Sequence, residues 1–321
     1  MTVNVQTMMY HGETPWHGMG KKVEKALTSA EAIKAAGLDW AVTKVPVFCR
    51  DLQSHFKQVP NSFGIRRQDN GTTLGIVGKF YNPLQNKDAF KFFDAIVGEK
   101  AAMYHTAGAL GQGERIWLLA KLPGDVIIKG SDKVEKYLLL MNSHDGTSTV
   151  TVKLTPIRVV CQNTLNSALR DGEPSAKLRH TRWLGQRVQC VKQQLDLVHK
   201  WYDSFETQAN NLASAKCDDK KFHSFVQGLG FGELGSEMGP KTQKMLDDLL
   251  KRFDEGRGKD DQKIRGTWWA AYNAVTEFVD HSPLYGRGKT QSDRARSLLY
   301  GAGSFLKEKA WAQALVGAKS K

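Results

Sequence analysis

A chain of 321 residues, 40% of them hydrophobic, has the length of one large domain or two ordinary ones and the composition of a globular protein. Its 46 Lys and Arg outnumber its 33 Asp and Glu, giving a formal net charge of +13. Such a charge speaks to partners and not to fold: nucleic acid first, an acidic membrane surface second. No apolar run is long enough to span a bilayer, and the opening MTVNVQTMMYHGETPW has no basic stretch before an apolar one. Cys49, Cys161, Cys190 and Cys217 form no C-x-x-C pair. The expectations are no membrane segment, no signal peptide, no cysteine zinc site, and a cytoplasmic protein with reduced thiols.

Residues 1–27 read as an irregular lead-in around HGETPWHGMG. Thr28 or Ser29 caps a short helix, with Glu31 at the capping-box position and Gly37 as its stop. Strands are expected over 40–50, 63–68 and 73–79, the last two joined by Asp69-Asn70-Gly71, a strong hairpin signal. A helix over 86–97 puts Phe90, Phe93 and Val97 in register. Strands over 102–110 and 115–122 turn at Gly111-Gln112-Gly113, and strands over 134–143 and 147–155 turn at Asp145-Gly146.

The stretch 149–183 is central. Val150, Val152 and Leu154 alternate with Thr151 and Lys153, a half-buried strand, and Pro156 ends it. A helix is expected over 159–170, with Cys161, Leu165, Ala168 and Leu169 on an apolar face and Asn163, Asn166 and Arg170 on a polar one. Asp171-Gly172 closes it, and a return strand over 176–183 carries Lys177, Arg179, His180 and Arg182.

Beyond Trp183 the pattern becomes helical, over 184–212, 220–229, 241–252, 267–278 and 292–315, the last interrupted near Gly301 and Gly303. Hairpins then helices predict an α+β fold: antiparallel β-hairpins packed with helices over 1–183, and a helical C-terminal half over 184–321 that packs or oligomerises.

Candidate phosphate contacts are Lys153, Arg158, Arg170, Lys177, Arg179, Arg182 and Arg187, because the arginine fork donates two parallel hydrogen bonds. Asn163 and Asn166 add neutral donors, and His180 a phosphate-side donor. Arg66, Arg67 and Lys79 lie beside Phe63, Phe80 and Tyr81, and aromatics beside cations suit unstacked bases, although each ring alone reads as core. The competing reading is a solvated basic face; the density of cations and the net charge favour nucleic acid.

Other groups read as structural. His11, His17, His105, His144 and His180 match no metal-ligand spacing, and His144-Asp145 reads as turn chemistry. Cys161 packs as a small hydrophobe. Gly286 to Thr290 ends like a phosphate loop, but Pro283 stands where its first glycine belongs. Trp268, Trp269 and Tyr272 read as core or subunit contact. No catalytic residue, metal or cofactor is expected.

The segments TPWHGMG, HDGTSTVTVKLTPIRVVCQNTL, KLRHTRW and DHSPLYGRGKTQSDRARSLLYGAGSFLKEKA resemble a family of unknown function described as phage/plasmid-like proteins, over nearly the whole chain. The family brings no enzyme signature. Its hairpins followed by a helix are similar to the core of the Rad-fifty-two-type single-strand annealing proteins, which form rings and hold single-stranded DNA in a basic groove lined by a hairpin and a helix. By that likeness the segment 158–170 would take the place of the groove-lining helix. The function expected is single-stranded DNA binding and ATP-independent strand annealing in a phage or mobile element, by a homo-oligomer and with no membrane partner. The alternatives are a metal-dependent nuclease or nucleotide-modifying enzyme using His105, His144 or Cys161, and a non-catalytic structural or interaction protein.

Overall fold

A computed structural model describes residues 5–11, 20–25, 27–97, 103–158, 163–164, 175–184, 196–231, 239–256, 261–285, 297 and 301–319. The fold is α+β, with antiparallel sheets and a helical C-terminal part. The chain forms two compact units: 1–122 with 138–154 and 175–196, and 123–137 with 155–174 and 197–321. This differs from a single cut at residue 183, because 123–137 and 155–174 belong with the C-terminal helices.

In the first unit one sheet is built from β1 (Val5–His11), β2 (Lys21–Val23), β6 (Met103–Leu110), the first part of β7 (Arg115–Ile128), the last part of β8 (Asp132–Ser143), β9 (Val150–Leu154) and β12 (Ser175–Leu178). β2 runs parallel to β1; β1–β6, β6–β7, β8–β9 and β9–β12 are antiparallel. Gly108 in β6 has no side chain because a Cβ there would meet the Trp117 ring at 2.6 Å and the Thr7 carbonyl at 2.5 Å.

A second sheet has the order β3 (Val42–Arg50), β4 (Phe56–Arg67), β5 (Thr73–Gly78). The Asp69-Asn70-Gly71 turn forms as expected: Gly71 has φ +76°, Thr72 N–H donates to Asn70 Oδ1 at 3.0 Å, and Arg67 grips Asp69 with two bonds of 3.0 and 2.7 Å. The segment after β8 lies on β5, where Gly75 comes so close to the Asp145 backbone that a Cβ would sit 2.6 Å away. Helix α1 (Ser29–Ala35) has its capping box, Thr28 and Glu31 each bonding the other's backbone N–H. Helix α2 (Asn86–Val97) buries Ala89, Phe90, Phe92 and Phe93, and Tyr104 packs on two of those rings.

Among the described residues the second unit holds the remaining parts of β7 and β8, the short strands β10 (Ile157–Arg158) and β11 (Asn163–Thr164), and five helices. These are α3 (Asp196–Ser214), α4 (Asp219–Gly228), α5 (Pro240–Glu255), α6 (Trp268–His281) and α7 (Ala302–Gly317). α6 is buried from Trp268 through Asp280, which makes it the centre of the unit. Trp201, Phe205, Trp269, Tyr272 and Trp311 form one aromatic cluster around it. Its buried Asp280 pairs with Lys307 at 2.5 Å, and its Glu277 with Arg252 at 2.8 Å. Asp132 accepts from the Trp269 indole at 2.7 Å, and the Tyr202 hydroxyl bonds the Tyr137 backbone on both sides at 2.9 Å.

Several expectations need correction. The helix expected over 159–170 does not include Asn163 and Thr164, which are extended and pair with Arg158 and Ile157. The β-branched run Ile157, Val159, Val160, Thr164 favours extended backbone over helix. The rest of that stretch, with Cys161, Asn166 and Arg170, lies outside the described residues, as does Arg187. The return strand stops at Leu178 and turns, rather than running on to 183. β4 begins at Phe56, earlier than expected, and β7 continues past 122 to Ile128. The last helix is described from Ala302, after Gly301 as its N-cap.

Candidate nucleic-acid interface

The site lies within the first unit. β12 pairs with β9 in a register that sets Lys177 opposite Thr151 and Ser175 opposite Lys153. Side chains alternate through His180, with Lys177 and Arg179 exposed and Leu178 and His180 buried, and Arg182 is exposed in the turn that follows. Leu184 N–H donates to the Thr181 carbonyl at 2.9 Å, closing a turn that leaves Trp183 47% exposed. The Arg182 guanidinium lies 4.7 Å from the Trp183 ring centre.

His180 ties this segment to the turn after β5. Asn82 N–H donates to the His180 carbonyl at 2.9 Å, and His180 Nδ1 is 3.3 Å from the Asn82 carbonyl oxygen. The imidazole stacks on Tyr81, ring centres 4.5 Å apart. Tyr81 in turn donates its hydroxyl to the Ser143 carbonyl at 2.6 Å, and burial beside Asp145 pushes its pKa up. Lys44 holds the other side of the turn, its ammonium donating to the Lys79 carbonyl at 2.6 Å and the Tyr81 carbonyl at 3.1 Å; desolvation pulls its pKa down. The turn thus presents Phe80, 78% exposed, with the Lys79 ammonium 4.9 Å from its ring centre.

Two basic segments that are a hundred residues apart in the chain are therefore tied together, Lys79 and Phe80 from one, Arg179, Arg182 and Trp183 from the other. A third ring–cation pair stands on the arm formed by β3 and β4, where Arg50 lies 5.0 Å from the centre of Phe56, a ring 67% exposed. Flat apolar faces open to solvent, each beside a fixed positive charge, can take a stacked base and a phosphate.

The sequence candidates fall into three groups. Lys79, Lys177, Arg179, Arg182 and Arg66 are exposed on this unit, and Lys153 is half-buried beside them in the sheet. Arg67 and His180 are corrections. Arg67 is 5% exposed, stacked on Trp40 at 4.1 Å, and spends four of its five N–H donors on Asp69, Gln6 and the Gln112 carbonyl, so it serves the fold and not a phosphate. His180, 7% exposed, pins the tie from inside. Arg158 and Asn163 belong to the other unit as strand residues, and Asn166 and Arg170 lie outside the described residues.

His144 also proves structural. It is fully buried, its Nε2 sits 2.9 Å from Asn86 Oδ1, and burial pulls its pKa down to about 3. Asp145 does perform turn chemistry, accepting from Thr147 N–H at 2.9 Å, from the Thr147 hydroxyl at 2.6 Å and from the Ser143 hydroxyl. Among the described residues no three His, Cys, Asp or Glu side chains gather as a metal site. Trp268, Trp269 and Tyr272 are core, as expected; Phe80, read as core, is exposed. Sequence reasoning missed Phe48, Arg50, Phe56 and Lys57; the signal was a pair of ring–x–cation and ring–cation steps flanking Asp51.

The family model described as a domain of unknown function (DUF932) matches residues 73–299. No curated protein and no solved structure matches the chain.

Proposed function

We propose that this chain, which belongs to the DUF932 family, binds single-stranded DNA and anneals complementary strands without a nucleotide or a metal. The observation that carries the reading is the pair of exposed rings, Phe80 and Trp183, each with a cation within 4.9 Å and joined by the tie between Asn82 and His180, on a unit of a strongly basic chain. Annealing asks a protein to cancel backbone repulsion, hold bases extended, and leave their pairing edges free for a second strand. Lys79, Lys177, Arg179 and Arg182 do the first by displacing counterions. Rings that take bases face-on do the second and third, since stacking leaves hydrogen-bonding edges open.

A homo-oligomer, in the manner of a ring, extends such a surface from subunit to subunit and covers free sheet edges. The likeness to phage- and plasmid-associated sequences and to Rad-fifty-two-type proteins supports a role in recombination of a mobile element, in the cytoplasm of a bacterial host. The test is direct. Mixing the protein with two complementary labelled oligonucleotides should speed their pairing without ATP or divalent metal. Negative-stain images should show a closed or extended oligomer whose form changes when single-stranded DNA is added. No acceleration, with monomers in both conditions, would overturn the proposal.

A further inference from the structure

We infer that the arm formed by β3 and β4 is a separate element for duplex DNA, a β-ribbon that enters a groove; this rests on the nucleic-acid reading above. Beyond the irregularity at Pro46 and Phe48 the two strands continue as a bare pair, Phe48 opposite Gln58, Cys49 opposite Lys57, Arg50 opposite Phe56. Every residue from 48 to 58 except Asp51 is exposed. An isolated two-stranded ribbon is marginal in water and gains from a partner that flanks it on both sides.

The chemistry of the two faces identifies that partner. Cross-strand neighbours share a face, so Phe48, Arg50, Phe56 and Gln58 lie on one side, and Cys49 and Lys57 on the other. The ribbon carries a cation on each face. A single strand offers phosphates to one face only, whereas a duplex groove has a phosphate wall on each side. The major groove, about 12 Å wide, admits a two-stranded ribbon.

The tip suits the floor of a groove. Leu52 is 100% exposed, an apolar side chain at the end of the arm, fit to contact a thymine methyl or press on a base step. Asp51, the only acid of the arm, is internally engaged. Its oxygens accept Gln53 N–H at 3.0 Å and His55 N–H at 2.8 Å, and it pairs with Lys57 at 3.0 Å. Those bonds hold its carboxyl below the usual range and fix the tip. The Lys57 ammonium, 70% exposed, exchanges such a surface pair for a phosphate at little cost.

The test uses the full chain, one single-stranded oligonucleotide and the blunt duplex made from it. Variants are Arg50→Ala with Lys57→Ala, Leu52→Ser, and Lys79→Ala with Arg182→Ala. Each is checked first for an unchanged melting temperature. The arm variants should weaken duplex binding about tenfold or more while single-strand affinity stays within about twofold, and Lys79→Ala with Arg182→Ala should do the reverse. Arm variants that bind duplex like the parent, or that lose both ligands equally, overturn the inference and leave the single-strand reading intact. A parent that binds neither ligand overturns both. Anionic vesicles serve as the competing probe: loss of vesicle binding in the arm variants with duplex binding unchanged assigns the arm to a membrane surface instead.

Discussion

Arg66 and Arg67 are adjacent in the chain, yet strand alternation sends one to solvent and the other into the protein, where Asp69, Gln6, Gln112 and Trp40 surround it. The consequence is measurable. Arg67→Ala should lower the melting temperature, a loss of about 2–3 kcal/mol from a buried, multiply bonded charge, and change DNA affinity only as the fold is lost. Lys79→Ala and Arg182→Ala should leave the melting temperature alone and weaken single-strand binding about tenfold each, the worth of one charged contact. Phe80→Ala and Trp183→Ala should cost about 1–3 kcal/mol of affinity each if bases stack there. Titration of oligonucleotide affinity alongside thermal melts separates the two classes.

His144 sets a second residue-scale expectation. Its folded pKa, about 3, lies below its ordinary 6.5, so the folded protein refuses a proton that the unfolded chain accepts. Stability is complete above the unfolded value and falls as pH drops from there toward the folded one, by about 1.4 kcal/mol per pH unit. His180, lowered by burial in the same direction, adds to that slope. Asp145, whose carboxyl is also held low, acts only in the more acidic window below 3.8. The melting temperature should therefore drop between neutral pH and pH of about 5, and His144→Gln should flatten that dependence.

At the scale of elements, periodicity and turn chemistry were sufficient where local rules act alone. Helix α2 spans Asn86–Val97 as its aromatic spacing predicts, and the Asp-Asn-Gly turn and the Thr28 capping box form at the residues that encode them. The segment after Leu154 was not legible in that way. An apolar face at helical spacing competes there with β-branched residues, and the pairing of Asn163 with Arg158 answers to neighbours no local rule sees. The site was legible in composition and not in assembly. Lys79 and the cations of 177–182 are conspicuous in the sequence, but the tie through Asn82, Tyr81 and His180 joins segments about a hundred residues apart. Phe80 and Trp183 are apolar residues kept outside, which hydrophobicity alone assigns to the core. The elements also predict the outcome of truncation. A chain ending at Trp183 would leave Asp132 without Trp269 and Tyr137 without Tyr202, exposing the inner face of 123–137. Such a fragment should aggregate or melt without a cooperative transition, whereas a soluble, cooperatively folding fragment would show those contacts to be dispensable.

For the whole molecule, a net charge of +13 is a statement about partners, and its test is electrostatic. The slope of log affinity against log salt counts the phosphates engaged, at about −0.7 for each phosphate of a single strand. The most direct measurement of the central claim is the affinity of the full chain for one single-stranded oligonucleotide, and for its duplex, across a salt series from about 50 to 200 mM. Binding that favours the single strand at every salt, is indifferent to base sequence, and weakens with a slope of several phosphate contacts is the predicted result. A flat salt response, or binding confined to duplex or to one sequence, would contradict it.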